Sequence, residues 1–208
     1  MTKARTAVYQ DQVPVMSAFE HLIDVDNAAR TRVATLASRV ARRNPNGEIC
    51  LWKRGGWIAV PAEDGLFALP GPRREVLRAA QEAAAPLYAV VLDSRLDIEP
   101  VIVPATDDAL EEVSRRYGIF PFVLVPESAG WGVVQAKDEL MVMLGPPAVV
   151  ERLLGASASA ATERYREFAR DGTWSSQAES HFEVVLRALL TDYPAAREGE
   201  CVLIPSSY

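Results

Sequence analysis

Histidine and cysteine are scarce in this chain, and their scarcity removes whole classes of chemistry. There are two of each in 208 residues. Histidine is the side chain most used as a general acid or base. His21 lies in FEHLID and His181 in AESHFEVVL. Glu179, two residues before His181, points elsewhere on a helix. His181 reads as a surface or interface residue. Cys50 and Cys201 stand apart in the apolar runs EICLW and ECVLI, with no histidine cluster to complete a metal site. HExxH, CxxC, GxSxG and the Gly-rich Lys-Ser/Thr phosphate loop are all missing. No catalytic residue, no metal and no cofactor is therefore expected.

Long apolar runs are missing as well. No window approaches the ~18 residues needed to span a bilayer. The first 16 residues, MTKARTAVYQDQVPVM, lack a signal-peptide core and read as extended. Basic charge is also in deficit, with 22 Lys and Arg against 28 Asp and Glu. The resulting −6 argues against coating nucleic acid or anionic membranes. Apolar residues at 49% and charged residues at 24% are globular values, and the length supports a sizeable core. Together these features predict a soluble, cytoplasmic protein whose two cysteines are buried free thiols.

Punctuation and periodicity supply the elements. A first helix is predicted from about Asp26 to Arg43. Its N-cap is Asp26 or Asn27, and Val33, Leu36, Ala37 and Val40 form one apolar stripe. Strand-like runs follow at 49–53, 57–60 and 66–69, with hairpin-like breaks at Arg54-Gly55-Gly56 and Glu63-Asp64-Gly65. A helix then runs from Arg73 to about Ala84, followed by strands at 87–92 and 101–103. Thr106 caps a helix that ends near Tyr117, with Gly118 suited to a left-handed C-terminal position. Strands at 120–125, 131–136 and 140–144 lead to Gly145-Pro146-Pro147 and a short helix closed by Gly155. After the small-residue run ASASAA, read as a linker, come helices at about 161–170 and 177–191. The strand 201–204 ends the chain.

One stretch is echoed. GWIAVPAEDGLFALPGPRREVLR, from Gly56, aligns without a gap on GWGVVQAKDELMVMLGPPAVVER, from Gly130. At this offset of 74 residues, 12 of the 43 positions from 36 to 78 are identical. Chance would give about three. Repetition at a fixed offset predicts two tandem α-β-β-β-α units in an α+β fold with mainly antiparallel sheet. The expected organisation is an extended segment 1–16, a first unit 17–92 and a second unit 93–155. Residues 156–208 then supply the linker, two helices and a terminal strand packed on the units. The repeated Trp57 and Trp131 read as core. The repeated Asp64 and Asp138 read as turn formers, and the repeated Gly-Pro corner as scaffold.

Function is then sought where the copies differ. Trp52 stands against Pro126, and Lys53-Arg54 against Glu127-Ser128. Arg39, Arg42 and Arg43 belong to a stretch with no acid from Ala28 to Arg43. Up to residue 43 there are seven Lys and Arg against four Asp and Glu, a net +3, which leaves −9 for the rest. These arginines either pair with the acidic remainder of the chain or offer a basic face. Trp174 is unrepeated, and tryptophan is enriched at binding hot spots. The leading expectation is a non-catalytic interaction protein with a protein partner: an adaptor, a chaperone-like protein or an immunity-type inhibitor. Its candidate contacts are Trp52, Lys53, Arg54, Arg39, Arg42, Arg43 and Trp174, and self-association fits the same reading. The alternatives are a small enzyme with its site in a cleft between the units, and nucleic-acid binding through the Arg-rich helix.

Overall fold

Strands whose every residue is apolar need cover on both faces, and the centre of this chain contains such strands. FVLVP at Phe122–Pro126 (β7) and LMVMLG at Leu140–Gly145 (β9) are buried throughout. They flank Gly132–Lys137 (β8) in an antiparallel meander. The structure, a computed structural model, describes residues 21–62, 70–93, 95–96, 98–137, 140–171 and 176–205. The meander is the centre of a seven-stranded antiparallel sheet. Ile23–Asp24 (β1), Val101–Val103 (β6) and Leu87–Val91 (β5) extend it on one side, and Ile58–Ala62 (β4) on the other, in the order β1-β6-β5-β7-β8-β9-β4. A second sheet pairs Ala41–Arg43 (β2) and Cys201–Ile204 (β10) antiparallel with Ile49–Trp52 (β3) between them.

The period-two alternation of strand side chains divides the interior into two cores. Phe122, Leu124, Val133, Met141 and Met143 face one side. There they meet three helices: Pro70–Ala83 (α2), Asp107–Tyr117 (α3) and Pro147–Leu154 (α4). Val123, Val125, Val134, Val142 and Leu144 face the other side. That side is covered by Asn27–Ser38 (α1), by the inner face of the small sheet and by the C-terminal helices. The latter are Ala158–Asp171 (α5) and Ser176–Arg187 (α6), which continues through a π-helical turn, Ala188–Asp192, into Tyr193–Ala195 (α7). Phe182, Val185, Leu186 and Leu189 bury their stripe in this second core, so the last helices dock on the chain itself.

Several local expectations hold. Asp26 Oδ1 accepts from Ala29 N at 2.8 Å, and Thr106 Oγ1 from Ala109 N at 3.3 Å. Gly155 closes α4 at φ 62°. The α+β class and the antiparallel pairing are as expected.

The tandem α-β-β-β-α arrangement is not. By sequence β3 corresponds to β7 and β4 to β8, but β3 and β4 lie in different sheets. Trp57 belongs to one core and Trp131 to the other, on opposite sides of the large sheet. The strand expected at 66–69 lies outside the described residues, as do the turns at Asp64 and Asp138. The physical reason is the C-terminal strand. It pairs with β3, while β4 finds its partner in β9. The break at Arg54 is consequently a tight turn, with Trp57 N donating to Arg54 O at 3.1 Å, and not a hairpin.

Four further expectations are corrected. The first helix stops at Ser38, because Val40 and Ala41 are drawn into the small sheet. Trp52 N donates to Val40 O at 3.1 Å, and Ala41 sits opposite Leu51. ASASAA is not a linker. Its residues from Ala158 onward form the first turn of α5, and Ser157 Oγ accepts from Ala160 N at 3.2 Å. Gly118 is right-handed at φ −56°, and its missing side chain matters for space, since a Cβ would stand 2.4 Å from Ser114 O. Finally, Cys50 and Cys201 are not free thiols but a disulfide, Cα to Cα 5.4 Å. Both lie on the outer face of the small sheet, on adjacent strands. Disulfides are typical of oxidising compartments, so the cytoplasmic expectation loses its cysteine argument. Among the described residues no helix is long and apolar enough to cross a membrane.

Candidate partner-binding surface

The small sheet positions most of the residues singled out by sequence. In β3, Ile49 and Leu51 point into the core, so Cys50 and Trp52 point outward. In β2 the residue opposite Cys50 is Arg42, and in β10 the residues opposite Cys50 and Trp52 are Leu203 and Cys201. Arg42, Trp52, Leu203 and the disulfide therefore share one face. The Arg42 guanidinium lies 4.7 Å from the Trp52 ring centre, a stacked cation–π pair. Trp52 is half-buried, Arg42 is exposed, and Leu203 is one of the few large apolar residues left to solvent, at 43%.

Lys53 and Arg54 continue from the end of β3 and are held by aromatic rings. Lys53 Nζ lies 4.6 Å from the Tyr193 ring centre and donates to Trp57 O at 3.0 Å. The Arg54 guanidinium lies 4.3 Å from the Trp57 ring centre and donates to Ala129 O. Tyr193 donates its hydroxyl to Trp52 O at 3.1 Å, and burial pushes its phenol up to about 12. Three cations, Arg42, Lys53 and Arg54, are thus anchored on three aromatic residues around one end of the small sheet.

Neither a family model, nor a curated protein, nor a solved structure matches this chain. The surface is read from its own geometry.

The other basic candidates separate from this group. Arg39 is the exposed C-cap of α1. Arg43 follows the pleat to the inner side. There it forms an ion pair with buried Asp93 and donates Nε to Gly47 O at 3.0 Å. Asp93 also receives Arg95 Nε at 2.9 Å and Arg95 Nη2 at 2.7 Å. These Arg95 contacts, with Arg43 behind them, hold the Asp93 carboxyl well below the usual carboxylate range. Arg30 pairs with Glu99, and Arg32 with Glu127. The first helix thus spends two of its arginines on acids of the same chain. Trp174 lies outside the described residues.

His21 is exposed, and its backbone N donates to Glu112 Oε2 at 2.8 Å. His181 packs edge-on against Phe182, and burial lowers its pKa. No group of three or more His, Cys, Asp or Glu placed to hold a metal ion occurs among the described residues. Sequence reasoning missed Tyr193, Leu203 and the acids that take up Arg30, Arg32 and Arg43. Only the likeness of EICLW to ECVLI, two apolar runs each with one cysteine, pointed to the pairing that brings Leu203 beside Trp52.

Proposed function

We propose that this chain is a non-catalytic interaction protein that engages a protein partner through the outer face of its small sheet. It belongs with adaptors, chaperone-like proteins and immunity-type inhibitors. The observation that carries the reading is Trp52 stacked under Arg42 beside exposed Leu203 on a face braced by a disulfide. Trp and Arg dominate binding hot spots, and a ring already immobilised by a stacked cation loses little conformational freedom on binding. The basic group of Arg42, Lys53 and Arg54 favours an acidic patch on the partner.

Nucleic-acid binding through the first helix receives less support, because Arg30 and Arg32 are engaged by Glu99 and Glu127. The enzyme alternative would need several polar groups converging in a cleft, and the stacked cations do not form one. We read the 12 identities at the 74-residue offset as shared turn and helix-start chemistry.

The test is affinity capture at native expression, comparing the native chain with Trp52→Ala and Arg42→Glu. A stoichiometric partner should be held by the native chain, and each variant should weaken it by tenfold or more, about 1.4 kcal/mol. Absence of any stoichiometric partner, together with a monomeric profile, sinks the reading. Retention of the partner by both variants moves the interface elsewhere.

A further inference from the structure

The disulfide lies on the Trp52 face itself, and it is the part of that face that redox chemistry can open. Cys50 and Cys201 are the chain's only cysteines, so no internal thiol can exchange with the bond and a reductant must come from outside. β10 has four residues and stands at the edge of the small sheet, with β3 as its strand partner. Its other edge borders an open depression of about 510 Å³. Cys201 and Leu203 line this depression on β10, and Asp192, Ala195 and Ala196 line it at the end of the C-terminal helices.

The two cysteines differ in access. Cys50 is 1% exposed, whereas Cys201 is half-buried and lines the depression. Exchange proceeds by attack of a thiolate on one sulfur of the disulfide, and access decides which sulfur is taken. An incoming thiolate therefore attacks Cys201 Sγ, forms a mixed disulfide there and expels the Cys50 thiolate, which takes up a proton. The second thiolate of a dithiol reductant then displaces Cys201, which is protonated in turn. The dithiol leaves as its own cyclic disulfide, having passed two electrons and two protons to the chain.

After reduction, β10 is held by its pairing with β3 and by the burial of Val202 and Ile204. The tie across 151 residues of sequence is gone. Opening a four-residue edge strand is a local event, less costly than unfolding the whole chain. It carries Leu203 away from Trp52 and breaks up the face.

We propose that the Cys50–Cys201 bond is a thiol-operated latch on the partner surface. Closed, it holds Leu203 beside Trp52 and Arg42; reduced by a dithiol, it lets β10 open. The regulatory role rests on the partner reading, but the latch itself is measurable without a partner.

The test reduces the folded full chain with dithiothreitol, quenches with an alkylating agent, and follows hydrogen exchange before and after. At high thiol concentration, reduction should outrun global unfolding, because a bond reached only through the unfolded chain is reduced no faster than the chain unfolds. With glutathione as reductant, the trapped intermediate should carry glutathione on Cys201 and the alkyl group on Cys50, read by peptide mass spectrometry. Reduction should speed exchange at residues 201–204 by about tenfold or more beyond any change at residues 140–145 of β9. The Cys50→Ala, Cys201→Ala double variant should show the reduced pattern without reductant. A partner captured by the oxidised chain should be held about tenfold or more weakly by the reduced chain. The proposal is overturned if reduction is no faster than unfolding, if glutathione is found on Cys50, if both segments speed by the same factor, or if a captured partner is held equally in both redox states. If no partner is captured while β10 opens on reduction, the partner reading fails and the latch stands.

Discussion

Asp93 shows how one buried charge organises its surroundings. It is 7% exposed and serves two arginines from different parts of the chain, Arg43 on β2 and Arg95 in the following loop. Replacing it with asparagine leaves one neutral amide oxygen for two guanidinium groups and sets an NH2 donor against them. Asp93→Asn is expected to cost about 2–3 kcal/mol at pH 7. The folded pKa lies below the unfolded value, so the contribution is complete above the unfolded pKa, near ~4. It is lost as pH falls from there through the folded pKa. Urea unfolding at pH 7 and pH 3 should therefore show a gap between native chain and variant that narrows on acidification. A gap that stays constant with pH rules the electrostatic account out. Gly132 makes a steric case at the same scale. A Cβ there would stand 2.6 Å from Val40 Cγ1, where the large sheet meets the end of α1. Gly132→Ala should destabilise by about 1–3 kcal/mol. Adding Val40→Ala should recover part of that loss in a double-mutant cycle, and strict additivity would refute the contact.

Among the elements, β10 does the most with the fewest residues. Four residues pair with β3, and the Cys50–Cys201 bond fixes that pairing across 151 residues of sequence. On the chain-entropy model a loop of this length contributes about 5 kcal/mol, and native disulfides of small domains contribute about 2–5 kcal/mol in practice. The Cys50→Ala, Cys201→Ala double variant should lose stability in that range, and reductant should then have no further effect. Equal urea midpoints for the native chain with and without reductant would contradict this. β10 also marks the limit of what the sequence discloses. Its extent, 201–204, is legible as a short apolar run with β-branched residues, and the caps at Thr106 and Gly155 are legible as well. Its partner is not legible, because pairing across 151 residues leaves no local signal. From that single unreadable pairing follow the separation of β3 from β4 and the placement of Leu203 beside Trp52, while the early end of α1 follows from the pairing of β2 with β3. The candidate surface was half visible for the same reason. Trp52, Lys53 and Arg54 stood out as differences between aligned stretches, whereas Tyr193 and Leu203 come from the far end of the chain. Of the two readings open to Arg43, pairing within the chain is the one its ion pair with Asp93 matches, and the sequence does not disclose it because it depends on which side of a strand Arg43 occupies, where a helix is predicted.

At the scale of the whole molecule, the large sheet takes strands from residue 23 to residue 145 without respecting the boundary suggested near residue 92. β4 lies in antiparallel register with β9 along all five of its residues, Ile58 opposite Gly145 to Ala62 opposite Met141. β3 depends in the same way on β10. A fragment ending at residue 92 would keep β3 and β4 but lose β9 and β10. It would expose both faces of β4 and leave Ile49, Leu51 and Trp57 without the Val142, Leu144, Val202 and Ile204 side of their core. β3 would keep only the three-residue β2 as a partner, and a lone two-stranded ribbon is marginal in water, as is the unpaired β4. The fragment 1–92 should therefore show no cooperative thermal transition by circular dichroism. The full chain should unfold in a single step, with tryptophan fluorescence and far-ultraviolet dichroism coinciding. Trp57 and Trp131 report from the two separate cores, so this coincidence also tests whether the cores melt together. Two resolved transitions, or a folded 1–92 fragment, would show that the β4–β9 pairing does not weld the two halves of the sequence into one cooperative unit.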